Sequence, residues 1–442
     1  MRSRSNPKSI KRVLLIPVAV AALGLSGWYG LHAVGGGHPL AASVAIPLKA
    51  AEDLPDTPDE WHGRIDYQAL DRQLADLSMR PEMAGLAVAV VEDGELRFVR
   101  TYGVADRDTG APVTPQTLFR WASVSKTAAG AMAAALAQDG VIDLDRSVAS
   151  WGTSLRLPGG GEEKVSVGDL LAQRTGLTKN AYDEKLEEGQ DPAVLRMGLA
   201  VAPLQCDPGT CHTYQNIAFD AASEIMGKAA QKPFAEAVEA RFFRPLGMVS
   251  AGYGKAWLTG AKDWAKPHRG PQVRPIKEAY WRVPAAAGVE SDIVDFATWM
   301  RAMMGARPDV LPKAVLQTAH NPRVATGRLY GGTLRQATGE ASYGLGWRSF
   351  TYAGHRLEGH SGAVEGYRAT MIFEPATRTG VVALWNSDWG FPFRIPFTVI
   401  DSYHRRPGTN WLDLSELPGP GNHVAASHGA TGQSALPPAK LP

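Results

Sequence analysis

Apolar residues recur at every third or fourth position in some stretches of this sequence and form short β-rich runs in others. The leucines of residues 67–79 have helical spacing. Residues 85–92 and 95–104 are β-rich runs separated by Asp93-Gly94, and an Asp-Gly pair in that position is typical of a β-hairpin. The first part of the chain is therefore predicted to form a helix followed by a hairpin.

A long run of small apolar residues follows Thr127 and ends at Asp139-Gly140. Glycine often closes a helix, and a helix that is apolar on every face belongs in the protein interior. Ser123 and Lys126 lie at the start of the run, three residues apart, so they share one face of the first helical turn. We expect a buried helix that carries both side chains at its N-terminal end.

Helical and β-rich patterns also alternate in the rest of the chain. Apolar residues have helical spacing in 217–230, 233–242 and 293–304. Extended runs return at 348–352, 367–373 and 380–385, before an amphipathic segment at 392–403. The order predicts an α/β (α+β) fold, in which an antiparallel β-sheet from the N- and C-terminal parts is flanked by helices and a mainly helical region is inserted.

With 442 residues, 44% of them hydrophobic and 20% charged, the chain is globular over most of its length. We place the globular domain at 59–404. Residues 32–58 contain several prolines and Gly35-Gly36-Gly37 and predict a flexible linker. Residues 405–442 are rich in Pro, Gly, Ser and Ala and are expected to be disordered.

The N-terminus combines a basic leader with an apolar segment. Residues 1–12 contain five Lys and Arg and no acid, so without them the net charge of +2 falls to −3. The remaining basic residues are scattered, and we expect no nucleic-acid partner. Residues 13–31 are near the minimum length that spans a bilayer. This combination indicates export, through a signal peptide or an uncleaved membrane anchor, and we favour the anchor. The protein would then be periplasmic or anchored in the inner membrane, with its catalytic domain outside the cytoplasm.

Cys206 and Cys211 are the two cysteines of the chain and flank Asp-Pro-Gly-Thr. In an exported protein this spacing predicts a small disulfide loop. Two free thiols are the alternative. A metal site needs more ligands than the adjacent His212 supplies, and we predict no metal or other cofactor.

Ser123 and Lys126 form a Ser-x-x-Lys pattern, which can make a serine nucleophilic without a histidine. Burial disfavours an ammonium, so a buried lysine can accept the proton of a nearby hydroxyl. Unpaired N–H groups at the helix start favour an oxyanion. The pattern alone is weak evidence, because Ser5-Asn6-Pro7-Lys8 also matches it. Ser125 adjoins the lysine and is expected to pack.

Tyr214-Gln215-Asn216 is the one Tyr-x-Asn segment in the chain. A phenol close to an ammonium can relay a proton, and the amide of Asn216 could bridge the lysine to a substrate amide. The alternative is a tyrosine in a strand or turn whose hydroxyl is satisfied by the protein.

His360-Ser361-Gly362 precedes the late β-rich runs. A strand here could offer the N–H of Ala363 as an oxyanion donor, with Gly362 letting the substrate backbone approach closely. His360 could act at the leaving group, and Ser361 could bind a carboxylate. The alternative for His360 is a neutral loop histidine.

With these motifs in this order, residues 60–404 resemble the class C serine β-lactamases and the related penicillin-binding D-alanyl-D-alanine carboxypeptidases, D-aminopeptidases and esterases. Phrases around and between the motifs are also similar to that family. They are Phe119 to Thr127, Leu170-Leu171, Thr175-Gly176-Leu177, Arg244-Pro245-Leu246-Gly247-Met248, Pro284 to Asp292, Tyr343-Gly344-Leu345-Gly346-Trp347 and Gly359 to Gly366.

The resemblance implies acyl transfer through a covalent ester on Ser123. Lys126 and Tyr214 would handle the proton of the serine, and water would release the acyl group. The N–H groups of Ser123 and Ala363 would hold the oxyanion, while Asn216 would bind the substrate amide.

Two departures from the family pattern bear on the substrate. The third motif of class C enzymes begins with lysine, whereas His360 is mostly uncharged at pH 7 and attracts a carboxylate less. Arg368 could supply part of the missing charge, or it could face outward from a strand. The usual His-Thr-Ser-Gly is Gln173-Arg174-Thr175-Gly176 in this chain.

We therefore expect a serine hydrolase for small esters or D-amino-acid peptides, with weak or no turnover of cephalosporins. A true β-lactamase is one alternative. Another is a membrane-tethered module that binds penicillins or cell-wall peptides without turnover. An α/β-hydrolase is excluded because Gly359 to Ala363 lacks the last glycine of the Gly-x-Ser-x-Gly motif.

Overall fold

The structure is a computed structural model that describes residues 54–55, 57–407 and 409–415. The strands of the described ranges are β1 Gly85–Glu92, β2 Glu95–Asp106, β3 Ala111–Pro112, β4 Phe119–Arg120, β5 Gly252–Tyr253, β6 His268–Arg269, β7 Gln272–Val273, β8 Val289–Ser291, β9 Val324–Thr326, β10 Thr338–Tyr343, β11 Arg348–Tyr352, β12 His355–Val364, β13 Tyr367–Glu374 and β14 Thr379–Trp385.

The α-helices of the same ranges are α1 Tyr67–Ser78, α2 Ser125–Gln138, α3 Val167–Leu171, α4 Asp183–Glu187, α5 Pro192–Gly198, α6 Ala221–Ala230, α7 Phe234–Val238, α8 Lys255–Gly260, α9 Pro284–Ala287, α10 Ile293–Arg301, α11 Lys313–His320, α12 Gly332–Ala337 and α13 Ile395–Tyr403. Short 3₁₀ turns connect several of them, among them Ala122–Val124 just before α2.

One antiparallel sheet of nine strands organises the domain, in the order β3-β2-β1-β14-β13-β12-β11-β10-β9. Its first three strands come from the N-terminal part of the chain and the other six from the C-terminal part. Most of the helices lie between these two groups of strands in sequence. The predicted fold class is therefore confirmed.

The central strand β1 is covered on both faces, and all eight of its residues are buried. Ala87, Ala89 and Val91 contribute to the larger hydrophobic core, which includes α2 and α10. The alternate residues Leu86 and Val88 contribute to a second core with α1 and α13. Side chains of successive strand residues point to opposite faces, so a continuous apolar strand packs against helices on both sides.

Helix α2 is buried along nearly its whole length, from Ser125 to Leu136, as its apolar sequence predicts. It begins at Ser125, so Ser123 lies in the 3₁₀ turn before it. Phe119 and Arg120 form strand β4, which pairs with β8. With these residues in a strand, α2 begins at Ser125, later than the sequence pattern alone suggests.

Both predicted boundaries of the globular domain need correction. Leu54 lies in the predicted linker, yet it is buried in the core. Trp411 and Leu412 lie in the predicted tail and are also buried, because Trp411 donates its indole N–H to Asp401 Oδ2 at 2.9 Å. The packed domain therefore extends beyond 59–404 at both ends.

The predicted leader at 1–12 and the predicted signal peptide or anchor at 13–31 lie outside the described residues. Within the part of the chain that the structure does describe, no helix is both long and apolar enough to span a membrane.

Candidate active site

Ser123 lies in the 3₁₀ turn Ala122–Val124, which is fixed to strand β8. Trp121 N–H donates to Val289 O at 2.9 Å, and Val289 N–H donates to Ser125 Oγ at 3.0 Å. Ala122 has a φ of 48°, a left-handed conformation that is costly for a residue with a Cβ and that clusters at functional sites. These contacts hold the serine at a sharp turn and give Ser125 the packing role expected for it.

The side chain of Lys126 is completely buried behind the serine. Its Nζ lies 3.5 Å from Ser123 Oγ. It also donates hydrogen bonds to Asn216 Oδ1 at 2.7 Å and to Ala286 O at 3.0 Å. Three oxygen atoms from three parts of the chain therefore surround the amine and fix its position next to the hydroxyl.

Tyr214 lines the same cleft as Ser123, and Lys126 Nζ lies 4.8 Å from the centre of its ring. Its neighbour Gln215 is held by the side chain of Gln173, which donates to Gln215 O at 3.1 Å and accepts from Gln215 N–H at 2.8 Å. Gln173 itself is fully buried with a φ of 63°. Gln173 is the first residue of Gln-Arg-Thr-Gly, the segment that differs from the family's His-Thr-Ser-Gly, and it therefore positions the segment that contains Tyr214.

The disulfide loop packs on the same phrase. Cys206 and Cys211 form a disulfide bond. A Cβ added to Gly176 would lie 2.5 Å from Cys206 O, so only glycine allows the loop to approach this closely. Gly209 N–H also donates to Arg174 O at 2.7 Å. The loop thus supports the wall of the cleft from outside.

Asn216 links Lys126 to a carboxylate that the sequence motifs do not indicate. Its Nδ2 donates to Asp183 Oδ2 at 2.7 Å, while its Oδ1 accepts from the lysine. Burial raises the pKa of Asp183 to about 6, against the opposing effects of the Asn216 hydrogen bond and of Lys126. Asn216 also lines the cleft, and its amide carries two N–H groups, of which Asp183 accepts one, so its role in positioning the lysine does not prevent the predicted contact with a substrate amide.

Strand β12 brings Ser361, Gly362 and Ala363 to the cleft. Its pairing with β11 ends at Gly359, so its next residues pair with β13 alone. A Cβ added to Gly362 would lie 2.2 Å from Trp121 O and 2.9 Å from the backbone N of Ser123. The strand backbone therefore touches the nucleophile turn, and this contact places Ala363 beside Ser123.

Ser361 forms a hydrogen bond of 3.1 Å with Thr370 Oγ1 and still lines the cleft. Its position leaves the predicted contact with a substrate carboxylate open.

His360 does not line the cleft, and only 1% of its surface is exposed. Its Nδ1 lies 2.7 Å from Ser361 O, which can only accept, so Nδ1 donates and Nε2 accepts from Tyr343 O–H at 2.9 Å. Burial, with added repulsion from Arg348 and Lys126, lowers the pKa of His360 well below its usual value. The predicted contact of His360 with the leaving group is not supported by this placement, since the ring is a neutral part of the wall.

Arg368 also lies away from the cleft, contrary to its predicted role in substrate binding. Its guanidinium donates to Val364 O at 2.7 Å and to Tyr367 O at 2.8 Å, and it pairs with Asp388 at 3.1 Å. These partners satisfy the guanidinium, and Arg368 is not among the residues that line the cleft.

Arg348 is one of three cations that line the cleft, with Lys179 and Arg328. It is the first residue of β11 and pairs with Gly359 of β12. Its guanidinium lies 5.5 Å from the ring centre of Tyr214 and 5.3 Å from that of Tyr343. Among the described residues, no hydrogen bond or ion pair joins its guanidinium to another protein group. Sequence reasoning missed this residue, because strand register cannot be derived from a single sequence.

The cleft that unites these groups has a volume of about 620 Å³. Its charged lining residues are Lys179, Asp183, Arg328 and Arg348, so positive charge predominates. A larger cleft of about 950 Å³ borders α11 and contains none of the motif residues. Within the described ranges, no three metal-ligating side chains converge in the 620 Å³ cleft.

Comparison with known proteins agrees with this geometry. The chain is 25% identical over 362 residues to the unguisins hydrolase ungD′ of Aspergillus campestris. This match covers 77% of this chain and 64% of the relative. The chain is also 30% identical over 210 residues to esterase EstB of Burkholderia gladioli. This second match covers 44% of this chain and 53% of the relative. These matches thus span between about half and two thirds of each relative's length.

A class C β-lactamase mutant has a similar structure, with a TM-score of 0.64 and 21% identity over 77% of this chain and 99% of that chain. This likeness concerns the fold. The model of the family described as "Beta-lactamase" matches residues 70–401, a range that contains every motif residue named above. The chain therefore belongs to the β-lactamase family.

Proposed function

We propose that this protein is a serine hydrolase that cleaves amide or ester bonds through an acyl-enzyme on Ser123. The observation that carries the proposal is the convergence of Ser123, Lys126 and Tyr214 at one cleft, although 90 positions separate Lys126 from Asn216 of the Tyr-x-Asn motif. Relatives named as a hydrolase and an esterase support this class of reaction.

In the first step, Ser123 Oγ bonds to the carbonyl carbon, and its proton passes to the pair formed by Lys126 and Tyr214. The same proton then goes to the leaving amine or alcohol as the scissile bond breaks. Water attacks the resulting ester, and the acid product leaves while Ser123 regains its proton. The backbone N–H groups of Ser123 and Ala363 stabilise the oxyanion in both steps.

The cleft favours a substrate that carries a negative charge. Arg348 is held over Tyr214 without an acidic partner among the described residues, and a guanidinium binds a carboxylate in a two-pronged arrangement. A D-amino-acid peptide with a free C-terminal carboxylate fits this feature, and a small anionic ester also does. Arg348 on the neighbouring strand would therefore supply the fixed positive charge that the neutral His360 does not supply.

The same observation favours a second candidate, a β-lactamase, because β-lactam antibiotics also carry a carboxylate. A panel of nitrocefin, p-nitrophenyl butyrate and a D-Ala-D-Ala peptide separates the two. We expect the peptide or the ester to be hydrolysed faster than nitrocefin. Nitrocefin turnover far above both would refute the peptidase and esterase assignment. Labelling without release of the acyl group would instead indicate a binding module.

The role of Arg348 is tested by Arg348→Ala with Arg368→Ala as the matched control. Loss of Arg348 should raise KM for the D-Ala-D-Ala peptide and leave KM for the neutral butyrate ester unchanged. Arg368→Ala should leave both unchanged, because Arg368 lies outside the cleft. Equal effects of Arg348→Ala on charged and neutral substrates would contradict the proposed carboxylate site.

We also propose export, with the domain outside the cytoplasm and tethered to the cell membrane through residues 13–31. The basic and apolar N-terminal pattern supports it, and so does a disulfide, which persists in oxidising compartments. Fractionation of producing cells tests it: the protein should be found with membranes or periplasm, and recovery from the cytosol alone would refute it.

A further inference from the structure

Two histidines converge on one glutamate at the end of strand β12 that lies away from Ser123. His355 is the first residue of β12, Glu374 the last residue of β13, and His404 follows α13. His355 Nδ1 lies 2.8 Å from Glu374 Oε1, and His404 Nε2 lies 2.7 Å from Glu374 Oε2. His355 and Ser361 are six positions apart on an extended strand, a distance of about 20 Å.

The three side chains are packed closely against one another. The two imidazole rings are stacked with their centres 3.8 Å apart and an interplanar angle of 27°. One ligand atom from each side chain can be chosen so that all three lie within 4.8 Å of one another. Such spacing allows one ion to touch all three atoms after small side-chain shifts, since ligands lie about 2 Å from zinc.

We propose that His355, Glu374 and His404 bind a divalent transition-metal ion such as Zn²⁺. Imidazole nitrogen with one carboxylate suits zinc, copper, nickel or cobalt, whereas calcium and magnesium prefer oxygen ligands alone. Each histidine would bind in its neutral form, with its ring proton on the nitrogen that faces away from the ion. Thr377 Oγ1 donates to Glu374 Oε2 at 3.1 Å and would orient the carboxylate from behind.

Solvent access fits a site of three protein ligands. The side chain of Glu374 is 5% exposed, those of His355 and His404 are 30% and 18% exposed. The carboxylate is therefore withdrawn from water, and the two histidines leave a path for an ion and for a water molecule as fourth ligand.

The position of the site indicates a structural role. Its ligands join the start of β12, the end of β13 and the C-terminal end of α13, so a bound ion would fasten the last helix to the sheet. Asp401 of α13 already accepts hydrogen bonds from Tyr352 and Trp411 close by. Metal binding would therefore stabilise the docking of the C-terminal segment without contact with the catalytic cleft.

The test uses the untagged full chain, stripped with EDTA and titrated with ZnCl₂ by calorimetry. The variants are His355→Asn and His404→Gln, which keep an N–H donor for Glu374 but are poor metal ligands. His62→Gln is the matched control, because His62 is exposed and outside the cluster. We expect each cluster variant to weaken the affinity by more than about tenfold, and the control to match the parent chain.

Thermal unfolding gives a second readout that does not depend on activity. Zn²⁺ should raise the Tm of the parent and of His62→Gln, and should leave the Tm of the two cluster variants unchanged. If the variants do not fold, modification of histidines by diethyl pyrocarbonate can be mapped on the parent chain. Zn²⁺ should protect His355 and His404 and not His62. Unaltered affinity in the folded variants, no binding by the parent, or no protection of the two histidines would overturn the proposal.

Discussion

The contact between β12 and the nucleophile turn leads to a sharp prediction for Gly362→Ala. The added Cβ would lie 2.2 Å from Trp121 O and 2.9 Å from Ser123 N. Ordinary contacts of a Cβ begin at 3.4 Å, so the strand and the turn must separate by about 1 Å. Gly362 does not have a positive φ, and an alanine can therefore adopt its backbone conformation. The effect of the substitution is steric.

A displacement of that size affects catalysis more than folding. Misplacement by about 1 Å can cost about 100-fold in rate, which corresponds to about 3 kcal/mol of transition-state stabilisation. The loss should appear in kcat, because the N–H groups of Ser123 and Ala363 would no longer converge on one oxyanion. Overpacking of this kind lowers the free energy of unfolding by about 1–3 kcal/mol, which leaves a domain of this size folded.

The assay combines stopped-flow hydrolysis of p-nitrophenyl butyrate with thermal unfolding of the same sample. Gly260→Ala is the matched control, because Gly260 ends α8 with an ordinary φ and has no atom within 4 Å of an added Cβ. It should retain the parent rate and Tm. A folded Gly362→Ala protein with the parent kcat would refute the inference that this contact sets the oxyanion site.

Further predictions concern three groups around the cleft, Lys126, Asp183 and the disulfide. Lys126→Ala should reduce the acylation rate by about 10²- to 10⁴-fold, as expected for loss of a general base, and should do so in the burst phase of ester hydrolysis. Because the pKa of Asp183 is raised to about 6, kcat/KM should rise as the pH increases through 6, and Asp183→Asn should abolish this limb of the profile. A raised pKa also means that the folded state holds this proton more tightly than the unfolded state. Protonated Asp183 therefore stabilises the folded state fully below pH 3.8, and this stabilisation falls by about 3 kcal/mol as the pH rises to 6. Denaturant unfolding of the parent and of Asp183→Asn at pH 5 and pH 8 checks that sign. Cys206→Ser should lower the free energy of unfolding by about 2 kcal/mol, as expected for a short loop, and should also reduce activity, because the disulfide loop supports the cleft wall that holds Tyr214. Treatment of the parent protein with dithiothreitol should reproduce both changes. An unaffected rate of hydrolysis would contradict the supporting role of the loop.

The sequence was sufficient where local pattern and burial agree. The Asp93-Gly94 hairpin, helix α1, the buried helix α2 and the strands around 348–352, 367–373 and 380–385 all follow from period and turn chemistry. The structure agrees with each of them to within a few residues. These elements are the centre of the sheet and the helix behind Ser123, so the sequence also predicted where the serine and the lysine lie relative to the core.

The sequence was insufficient where a residue depends on its long-range partner. The pairing of Arg348 with Gly359 decides that Arg348, and not Arg368, faces the cleft, and no local signal reports that register. Burial makes His360 a neutral wall residue, although its motif suggests a catalytic group. Asp183 enters the site only through its bond to Asn216, 33 positions away, and its own surroundings in the chain contain no motif.

The central claim is that Ser123 carries the acyl group during turnover. Mass spectrometry of protein that was mixed with p-nitrophenyl butyrate and quenched in acid tests this claim most directly. We expect one added butyryl group on the peptide that contains Ser123, and none on the Ser123→Ala variant. An adduct on a different residue, or hydrolysis that continues at the parent rate in Ser123→Ala, would contradict it.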